Sequence, residues 1–513
     1  MKKFLLLLSS FFASVFLLHA QQVTGVCGVG AEDAMLLTER LKENLKNVDK
    51  AVADRGVIQY VPVHFHLVGD NAGEGKIKES RVLDQLCALN AQYAPMDIRF
   101  YLSPHPSIGT LFDYTINSDN VYSNQSSWLT MHNKRHNKAL NVYIVDVAAS
   151  GSNTEGEALA YYNIPRDWIV AKKAEIKLTG NLTLPHEVGH FFSLLHTFNG
   201  WESDRFDSTD PTWPVAPTVS PDGVTTERAN GSNCAVAGDY LCDTPADYNL
   251  GLGFPDCDYD LGAKDPTGSP VDPMEINMMG YFLQCTDHVF TEDQQNLILT
   301  DLASSHRNYL DNTFSPATTE INTPADLLTA PANTSTVNYY DEVLLEWKPV
   351  AGATYYLLEV DVIFAYNSPA AQSHVVSSTS KLITGLQPNK TYYWRIRPFN
   401  EYVTCATPRQ QSFKTPLTSA VRDIEGLNAL QVAPNPVSNG MATLFVNAER
   451  NFEANLQVFD MAGRQVFAQN GLRIANGDSA VELPVSDLQN GLYVVMLQSG
   501  EGQTVRKFSV LRP

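Results

Sequence analysis

The sequence predicts an α+β domain followed by two all-β sandwich domains. Between residues 55 and 312, alternating apolar strands are interleaved with amphipathic helical segments. From 322 to 418, and again from 430 to 513, the pattern contains only short alternating strands separated by turn residues. At 513 residues the chain is also longer than one hydrophobic core normally supports, which agrees with several domains.

The first region has the pattern of a mixed, twisted sheet covered by helices. Strands are predicted at 57–68, 98–102, 140–147 and, as a short edge strand, 159–162. Helices are predicted at 31–53, at 76–93, from Thr183 or Leu184 onward, and at 291–310. Residues 201–275 are rich in Asp, Pro, Gly and Cys, which predicts a long irregular segment stabilised by disulfides. His64 and His66 alternate with apolar residues, so we expect sheet residues there rather than metal ligands.

The N-terminus predicts export. Lys2 and Lys3 precede an apolar run over 4–18, and the small residue Ala20 follows, as in a secretory signal peptide over 1–20. The run is short for a transmembrane helix and no later segment is apolar enough to span a bilayer, so we expect no transmembrane anchor. A net charge of −20 argues against nucleic acid as a partner. We expect a monomer.

The most informative motif is His186-Glu187-Val188-Gly189-His190, followed by His196. Two histidines four residues apart lie on one face of a helix, where they can bind the same zinc ion. A third histidine completes a His₃ set that leaves one position for water. Glu187 is placed to deprotonate that water for attack on a peptide carbonyl. The alternative is a core helix that carries histidines by chance, which the third histidine disfavours.

Three stretches resemble the metzincin metalloproteases and, within them, the pappalysin (cytophagalysin) family. They are HEVGHFFSLLHTF at 186–198, NCAVAGDYLCDTPAD at 233–247 and NMMGYFLQC at 277–285. Together they support a resemblance over residues 55–312, about half of the chain. The resemblance implies a metzincin-like fold and endopeptidase activity for this region.

The same resemblance implies roles for two residues beyond the zinc helix. Met279 corresponds to the methionine of the Met-turn, an apolar floor beneath the metal rather than a ligand; a core-filling methionine is the alternative. Tyr281 corresponds to a tyrosine that can donate a hydrogen bond to the oxyanion of the tetrahedral intermediate. The alternative for Tyr281 is a buried structural tyrosine.

The resemblance also implies calcium binding and disulfides. Asp239 and Thr244 match positions that bind calcium in some relatives, although a turn is a sufficient reason for these residue types. The residues alone leave three pairings open for the four clustered cysteines. The pairing that the resemblance implies is Cys234–Cys242 and Cys257–Cys285.

Cys27-Gly28 resembles the cysteine switch of latent family members, in which a thiolate occupies the open position on zinc. Thiolate is a strong zinc ligand and would displace the reactive water. The alternative is a disulfide with Cys87 or Cys405. A switch would make residues 21–54 a removable propeptide and the protein a zymogen.

One residue departs from the metzincin pattern. These enzymes usually have glycine three residues after the second histidine, where the chain turns sharply toward the third. This sequence has Ser193 there. A non-glycine residue in the left-handed conformation costs about 1–2 kcal/mol, so we predict a strained turn between His190 and His196.

Residues 322–418 resemble a fibronectin type III module. Trp347 lies in a predicted core strand, and Leu386-Gln387-Pro388 precedes Tyr392 as in a tyrosine corner. The tryptophan, the Leu-Gln-Pro stretch and the tyrosine occur in the same order as in such modules.

Residues 430–513 resemble the C-terminal sorting domain of the type IX secretion system. The resemblance depends on two motifs: Pro434-Asn435-Pro436 at the start and Gly491-Leu492-Tyr493-Val494-Val495 near the end. The resemblance implies contact with that secretion machinery and passage across a gram-negative outer membrane, giving a secreted or cell-surface protein. A generic adhesive β-sandwich is the alternative.

The sequence thus predicts a secreted zinc endopeptidase acting on protein or peptide substrates. From another class, the chain could be a catalytically weak adhesion or host-protein-binding factor. The presence of Glu187 argues against that function, which has no need of a general base. A third hypothesis is a two-histidine zinc site with a distant glutamate ligand in place of His196.

Overall fold

A computed structural model gives the fold. The structure describes residues 27–28, 31–48, 56–107, 109–118, 125–148, 158–178, 180, 182–210, 213–310, 313–417, 424–500 and 502–512. The signal peptide predicted at 1–20 lies outside the described residues. Of the candidate propeptide at 21–54, the described parts are 27–28 and 31–48.

The first region is built on a six-stranded mixed sheet. Its strands are β1 (Gln59–Leu67), β2 (Ile98–Leu102), β3 (Phe112–Asp113), β4 (Leu140–Val145), β5 (Ala160–Asn163) and β6 (Trp168–Lys172). The order is β2-β1-β4-β6-β5, with β3 also paired to β1. All neighbours are parallel except β5, which runs antiparallel to β6 and forms the edge.

Sequence reasoning missed two strands of this sheet, the two-residue β3 and the longer strand β6. The residues of β6 form a short run buried from Trp168 to Ala171, without the alternation of a half-exposed strand. Periodicity alone does not distinguish such a run in a strand from a segment of a buried helix. The neighbouring prediction of a short edge strand at 159–162 agrees with β5.

Six α-helices are described in this region. They are α1 (Ala31–Leu45), α2 (Glu79–Tyr93), α3 (Gln125–Lys134), α4 (Lys173–Ile176), α5 (Thr183–Phe191) and α6 (Glu292–Leu302). Short 3₁₀ turns occur at Ala94–Met96, Cys234–Val236 and Ser305–Arg307. The helices predicted at 31–53 and 291–310 are therefore shorter than expected. Among the described helices, none is both long and apolar enough to cross a bilayer.

Helix α6 begins where its capping residues require. Thr291 accepts a hydrogen bond from the backbone N–H of Gln294, and the Gln294 side chain accepts one from the backbone N–H of Thr291. This reciprocal capping box satisfies two N–H groups that the helix cannot satisfy internally. The side chain of Gln294 also supports the loop that lies beneath helix α5.

One apolar core lies between the sheet and helices α1, α2, α5 and α6. Leu37 and Leu41 of α1 are completely buried in it, beside Val188 and Phe191 of α5. His64 and His66 of β1 are buried sheet residues, as expected. His66 lies between Asp113 Oδ2, at 2.8 Å, and Asn141 Oδ1, at 3.0 Å.

The second region contains two facing β-sheets. Its strands are β7 (Leu328–Ala330), β8 (Ser335–Thr336), β9 (Val343–Trp347), β10 (Tyr355–Asp361), β11 (Gln372–Val376), β12 (Ser380–Ile383), β13 (Thr391–Phe399) and β14 (Arg409–Lys414). The sheets have the orders β11-β10-β13-β14-β8 and β12-β9-β7. Trp347 and Trp394 lie in the core between them. The Tyr392 hydroxyl accepts a hydrogen bond from Gln387 N–H at 2.8 Å, the contact expected of a tyrosine corner.

The C-terminal region is also a two-sheet structure. Its strands are β15 (Leu427–Ala433), β16 (Met441–Ala448), β17 (Phe452–Asp460), β18 (Gln465–Ile474), β19 (Gly477–Pro484), β20 (Gly491–Ser499) and β21 (Gln503–Val510). The sheets have the orders β15-β16-β19 and β18-β17-β20-β21. A turn at Ala462-Gly463 joins β17 to β18 in an antiparallel hairpin.

The first and second regions are fixed to each other. A disulfide links Cys87 in α2 to Cys405, and Arg397 pairs with Asp84 at 2.7 Å. The backbone N–H of Leu102, at the end of β2, donates to the carbonyl of Glu401 at 2.7 Å. The second region therefore packs directly on the helix that supports the first.

Candidate metal centre and active site

Helix α5 carries the two histidines of the motif on one buried face. Every residue from Leu184 to Phe191 is buried. Pro185 lies in the first turn, where its missing N–H would have no partner inside the helix. The four-residue spacing places His186 and His190 one turn apart, with ring centroids 4.8 Å apart.

The three predicted ligands converge on one point. His190 Nε2 lies 3.2 Å from His186 Nε2 and 3.1 Å from His196 Nε2. Nitrogens bound tetrahedrally to one zinc ion at about 2.0–2.1 Å lie about 3.4 Å apart, so the spacing fits such an ion. Sγ of Cys27 joins the cluster, and the four candidate ligand atoms all lie within 4.8 Å of one another. All four residues are buried.

The opposite ring nitrogens are held by acceptors. Nδ1 of His186 is 2.8 Å from the carbonyl oxygen of Met278, and Nδ1 of His190 is 2.8 Å from that of Leu194. Nδ1 of His196 lies 3.4 Å from Glu202 Oε1. These acceptors place the proton on Nδ1 and direct the lone pair of each Nε2 toward the shared point. Burial also lowers the pKa of His186 and of His196 to about 3, which favours neutral, ligating imidazoles.

The departure at Ser193 does not displace the third histidine. Ser193 has φ +66°, the left-handed conformation predicted for this position, and His196 still reaches the cluster. Its hydroxyl accepts a hydrogen bond from Asn44 Nδ2 at 2.9 Å. The turn between the second and third ligands is therefore strained as expected and has support from a distant residue.

Cys27 lies in the centre with a reduced thiol. The cysteines considered as its disulfide partners, Cys87 and Cys405, are bonded to each other, and Cys27 is buried and takes part in none of the disulfides. Its Sγ is 3.4 Å from Glu187 Oε2, and its backbone N–H donates to the Tyr281 hydroxyl at 2.9 Å. The backbone N–H of Gly28 donates to the Ala160 carbonyl at 3.0 Å, so this segment crosses the site along the edge strand β5.

Glu187 and Tyr281 flank the cluster. Burial raises the pKa of Glu187 to about 8, while the hydrogen bond from Cys27 acts in the opposite direction. A bound cation would also favour the carboxylate. The Tyr281 hydroxyl is 3.3 Å from His196 Nε2. Burial raises its pKa well above the usual value, so the phenol keeps the proton that it could donate.

Met279 forms the floor beneath helix α5. A Cβ at Gly189 would lie 2.5 Å from Met279 Sδ, so a larger residue there would require the Met279 side chain to shift. The loop that carries Met279 is anchored to α6, because Asn277 and Gln294 exchange side-chain hydrogen bonds of 3.2 and 3.1 Å. Asn277 Oδ1 also accepts from the Met279 N–H at 2.9 Å.

The irregular segment after His196 contains both disulfides of the implied pairing. They are Cys234–Cys242 and Cys257–Cys285. Within the loop closed by the first disulfide, Asp239 Oδ1 accepts hydrogen bonds from Leu241 N–H at 3.0 Å and from the Thr244 hydroxyl at 2.9 Å. Oδ2 of Asp239 is buried without a hydrogen-bond partner. Burial raises the pKa of Asp239 to about 8.

Several supporting residues were not identified from the sequence. Glu202 contacts the third histidine, Gln294 supports the methionine loop, and Arg307 donates to the Phe191 carbonyl at the end of α5. The sequence offered one weak indication of the role of Glu202: it lies six residues after His196, and nearby carboxylates often orient metal-bound histidines. The other two act across long sequence distances and carry no local pattern.

Comparison with known proteins supports export. Residues 431–511 match the family described as the secretion system C-terminal sorting domain. The protein is therefore secreted or attached at the outer-membrane surface, and its C-terminal region interacts with secretion machinery.

The chain is distantly homologous to fungal extracellular metalloproteases. It is 27% identical over 297 residues to one from Neurospora crassa, and this alignment covers 52% of this chain and 85% of that protein. It is 28% identical over 258 residues to one from Sordaria macrospora, covering 46% and 72%. A solved fibronectin type III domain of human collagen alpha-1(XX) is 25% identical, covering 20% of this chain and 91% of that one; its TM-score of 0.15 supports no argument about fold.

Proposed function

We propose that this protein is a secreted zinc-dependent endopeptidase of metzincin type, related to the pappalysin family and made as a latent zymogen. The observation that carries the proposal is the convergence of His186, His190 and His196 Nε2 beside Glu187. Homology to extracellular metalloproteases supports a metal-dependent protease in particular. The proposed organisation is a signal peptide at 1–20, a propeptide at 21–54, a catalytic domain at 55–312, a fibronectin type III-like domain at 322–418 and a sorting domain at 430–513.

Each residue of the site has a chemical role in this proposal. Zinc, when bound, would polarise water and the substrate carbonyl. Glu187 accepts a proton from the attacking water and later donates it to the leaving amine. Tyr281 donates a hydrogen bond to the developing oxyanion. Met279 packs against Gly189 and supports helix α5, which carries two of the proposed ligands.

Substrate is proposed to bind along the edge strand β5. The N-terminal segment already hydrogen-bonds to this edge through Gly28 and Ala160. An extended peptide can add to an exposed strand by the same backbone bonds. The N-terminal segment would therefore exclude substrate as well as place the Cys27 thiol in the position that water needs.

Metal removal tests the proposed activity. The full chain, without its signal peptide, is activated by limited trypsin digestion and assayed on a denatured protein. We expect a zinc-selective chelator, used with calcium in excess, to reduce cleavage to background. Added zinc should restore the activity, because the histidine ligands remain intact in the metal-free protein.

Cleavage that persists with the chelator would contradict the metalloprotease proposal. Binding to host proteins without cleavage under any condition would favour the adhesion function instead. Full zinc binding and activity in a His196→Ala variant would favour the two-histidine site.

Calcium binding is proposed at Asp239 and Thr244, where the second carboxylate oxygen of Asp239 is buried without a partner. Calcium prefers carboxylate, carbonyl and hydroxyl oxygens. A ligand at about one hundred times its Kd stabilises the folded state by about 2.7 kcal/mol, so we expect calcium to raise the Tm measured by calorimetry. The rise should be absent in Asp239→Asn and present in the exposed control Asp260→Asn. An equal Tm with calcium and with a calcium chelator would contradict this site.

A further inference from the structure

Helix α1 contacts the turn between His190 and His196, at a point away from the Cys27 thiol. Asn44, at the end of this helix, is 2% exposed. Its Nδ2 donates one hydrogen bond to Ser193 Oγ at 2.9 Å and one to Asp301 Oδ1 at 2.8 Å. The side-chain amide therefore uses both of its N–H bonds on the catalytic region.

The acceptors of Asn44 belong to the structure that ends helix α5. Ser193 is the left-handed residue between the second and third candidate ligands. Asp301 accepts from Arg307 Nε at 2.7 Å, and the same guanidinium donates to the Phe191 carbonyl. Asn44 is thus part of a buried hydrogen-bond network at the C-terminal end of helix α5.

Other residues of α1 extend this contact. Leu37 and Leu41 are fully buried in the core that also contains Val188. Arg40 Nη1 lies 3.3 Å from the Tyr162 hydroxyl, and Lys42 Nζ lies 4.3 Å from the centre of the Tyr240 ring. Helix α1 is bound by apolar burial and by specific polar contacts, none of which involves the metal ligands.

We propose that helix α1 is a second inhibitory anchor, with Asn44 and Ser193 as its specific contact. It keeps the N-terminal segment bound after the chain is cut between α1 and β1. The proposal rests on the proposed protease function and deepens its regulation. Cys27 lies four residues before α1 begins, so a bound α1 holds the thiol near the metal position at high effective concentration. Activation therefore requires that α1 be released or destroyed, and cutting after it does not suffice.

The test uses the full chain with residues 49–55 replaced by the recognition sequence of a site-specific protease. After cutting, size-exclusion chromatography with mass spectrometry measures whether the N-terminal fragment stays bound, and a peptide assay measures activity. We expect the wild-type fragment to co-elute and the protein to stay latent. In the Asn44→Ala variant we expect fragment dissociation to be about tenfold faster, because two buried hydrogen bonds are lost.

Two further variants sharpen the test. Ser193→Gly removes the acceptor from the catalytic side and relieves the left-handed strain, so it should also speed fragment dissociation while the protein remains folded. Glu39→Ala, on the exposed face of the same helix, is the matched control and should behave as the wild type. Alanine favours helix at both positions of α1, so helix propensity does not explain a difference.

Release of the wild-type fragment immediately after cutting would overturn the second anchor, as would equal dissociation from the Asn44→Ala and Glu39→Ala proteins. The fragment measurement does not depend on catalysis. If the fragment behaves as expected but the fragment-free protein never cleaves peptide with zinc present, the anchor stands and the proposed protease function fails.

Discussion

Glutamine in place of Glu187 is expected to lower kcat/KM by about 10³-fold, within the range found for general acid–base residues. The change preserves the shape of a buried side chain, but it removes the negative charge and with it the ability to accept the proton. It should leave zinc content unchanged, because Glu187 is not among the converging ligands. Peptide hydrolysis by the activated protein and elemental analysis of bound zinc measure the two quantities.

The matched control for this change is Glu74→Gln, at an exposed loop position, which should keep wild-type activity. Comparable kcat/KM values for Glu187→Gln and Glu74→Gln would remove Glu187 from the mechanism. A loss of zinc together with activity would instead indicate that the substitution disturbs the site.

The uncut Cys27→Ala precursor is expected to cleave peptide at least about tenfold faster than the uncut wild-type protein. A factor of ten corresponds to about 1.4 kcal/mol, which is less than a zinc–thiolate bond contributes. The gain should be incomplete, since Gly28 and helix α1 still hold the segment across the site. The measurement is the initial rate before any processing, with electrophoresis to verify that the chain is intact.

Cys27→Ser provides a second variant of nearly the same volume, with a hydroxyl that is a weaker zinc ligand than thiolate. It should also be active. Met35→Ala, at an exposed position of α1, serves as the control and should remain latent. Continued latency of both Cys27 variants, in a protein that becomes active on removal of the segment, would show that steric exclusion alone causes latency.

Local sequence patterns predicted much of the first region. Strand β2 has the predicted bounds, 98–102, and helix α5 begins at Thr183, one of the two predicted starting residues. These elements have clear periodicity or clear flanking signals. Strand β6 lacks both, and its identity as a strand depends on pairing with β4 and β5. Burial on both faces removes the alternation that sequence reasoning needs.

The disulfide network shows a different limit. The sequence left Cys87 and Cys405 as possible partners of Cys27, since spacing does not determine which thiols meet. In the fold they bond to each other across 318 residues and join α2 to the second region. That contact depends on packing between two regions, which no local pattern encodes.

The sequence by itself determined the chemistry of the candidate centre: two histidines on one helix face, a third after a strained turn, and a glutamate beside the first. These follow from helical geometry and short spacings, which are local properties of the chain. Only the tertiary structure decided which distant groups complete the site. It placed the Cys27 thiol, for which the sequence left a disulfide as the alternative, among the histidines, and it placed Asn44 against Ser193. Contacts between residues 90 to 160 positions apart arise from the packing of the whole core, so they become visible only when the chain is folded.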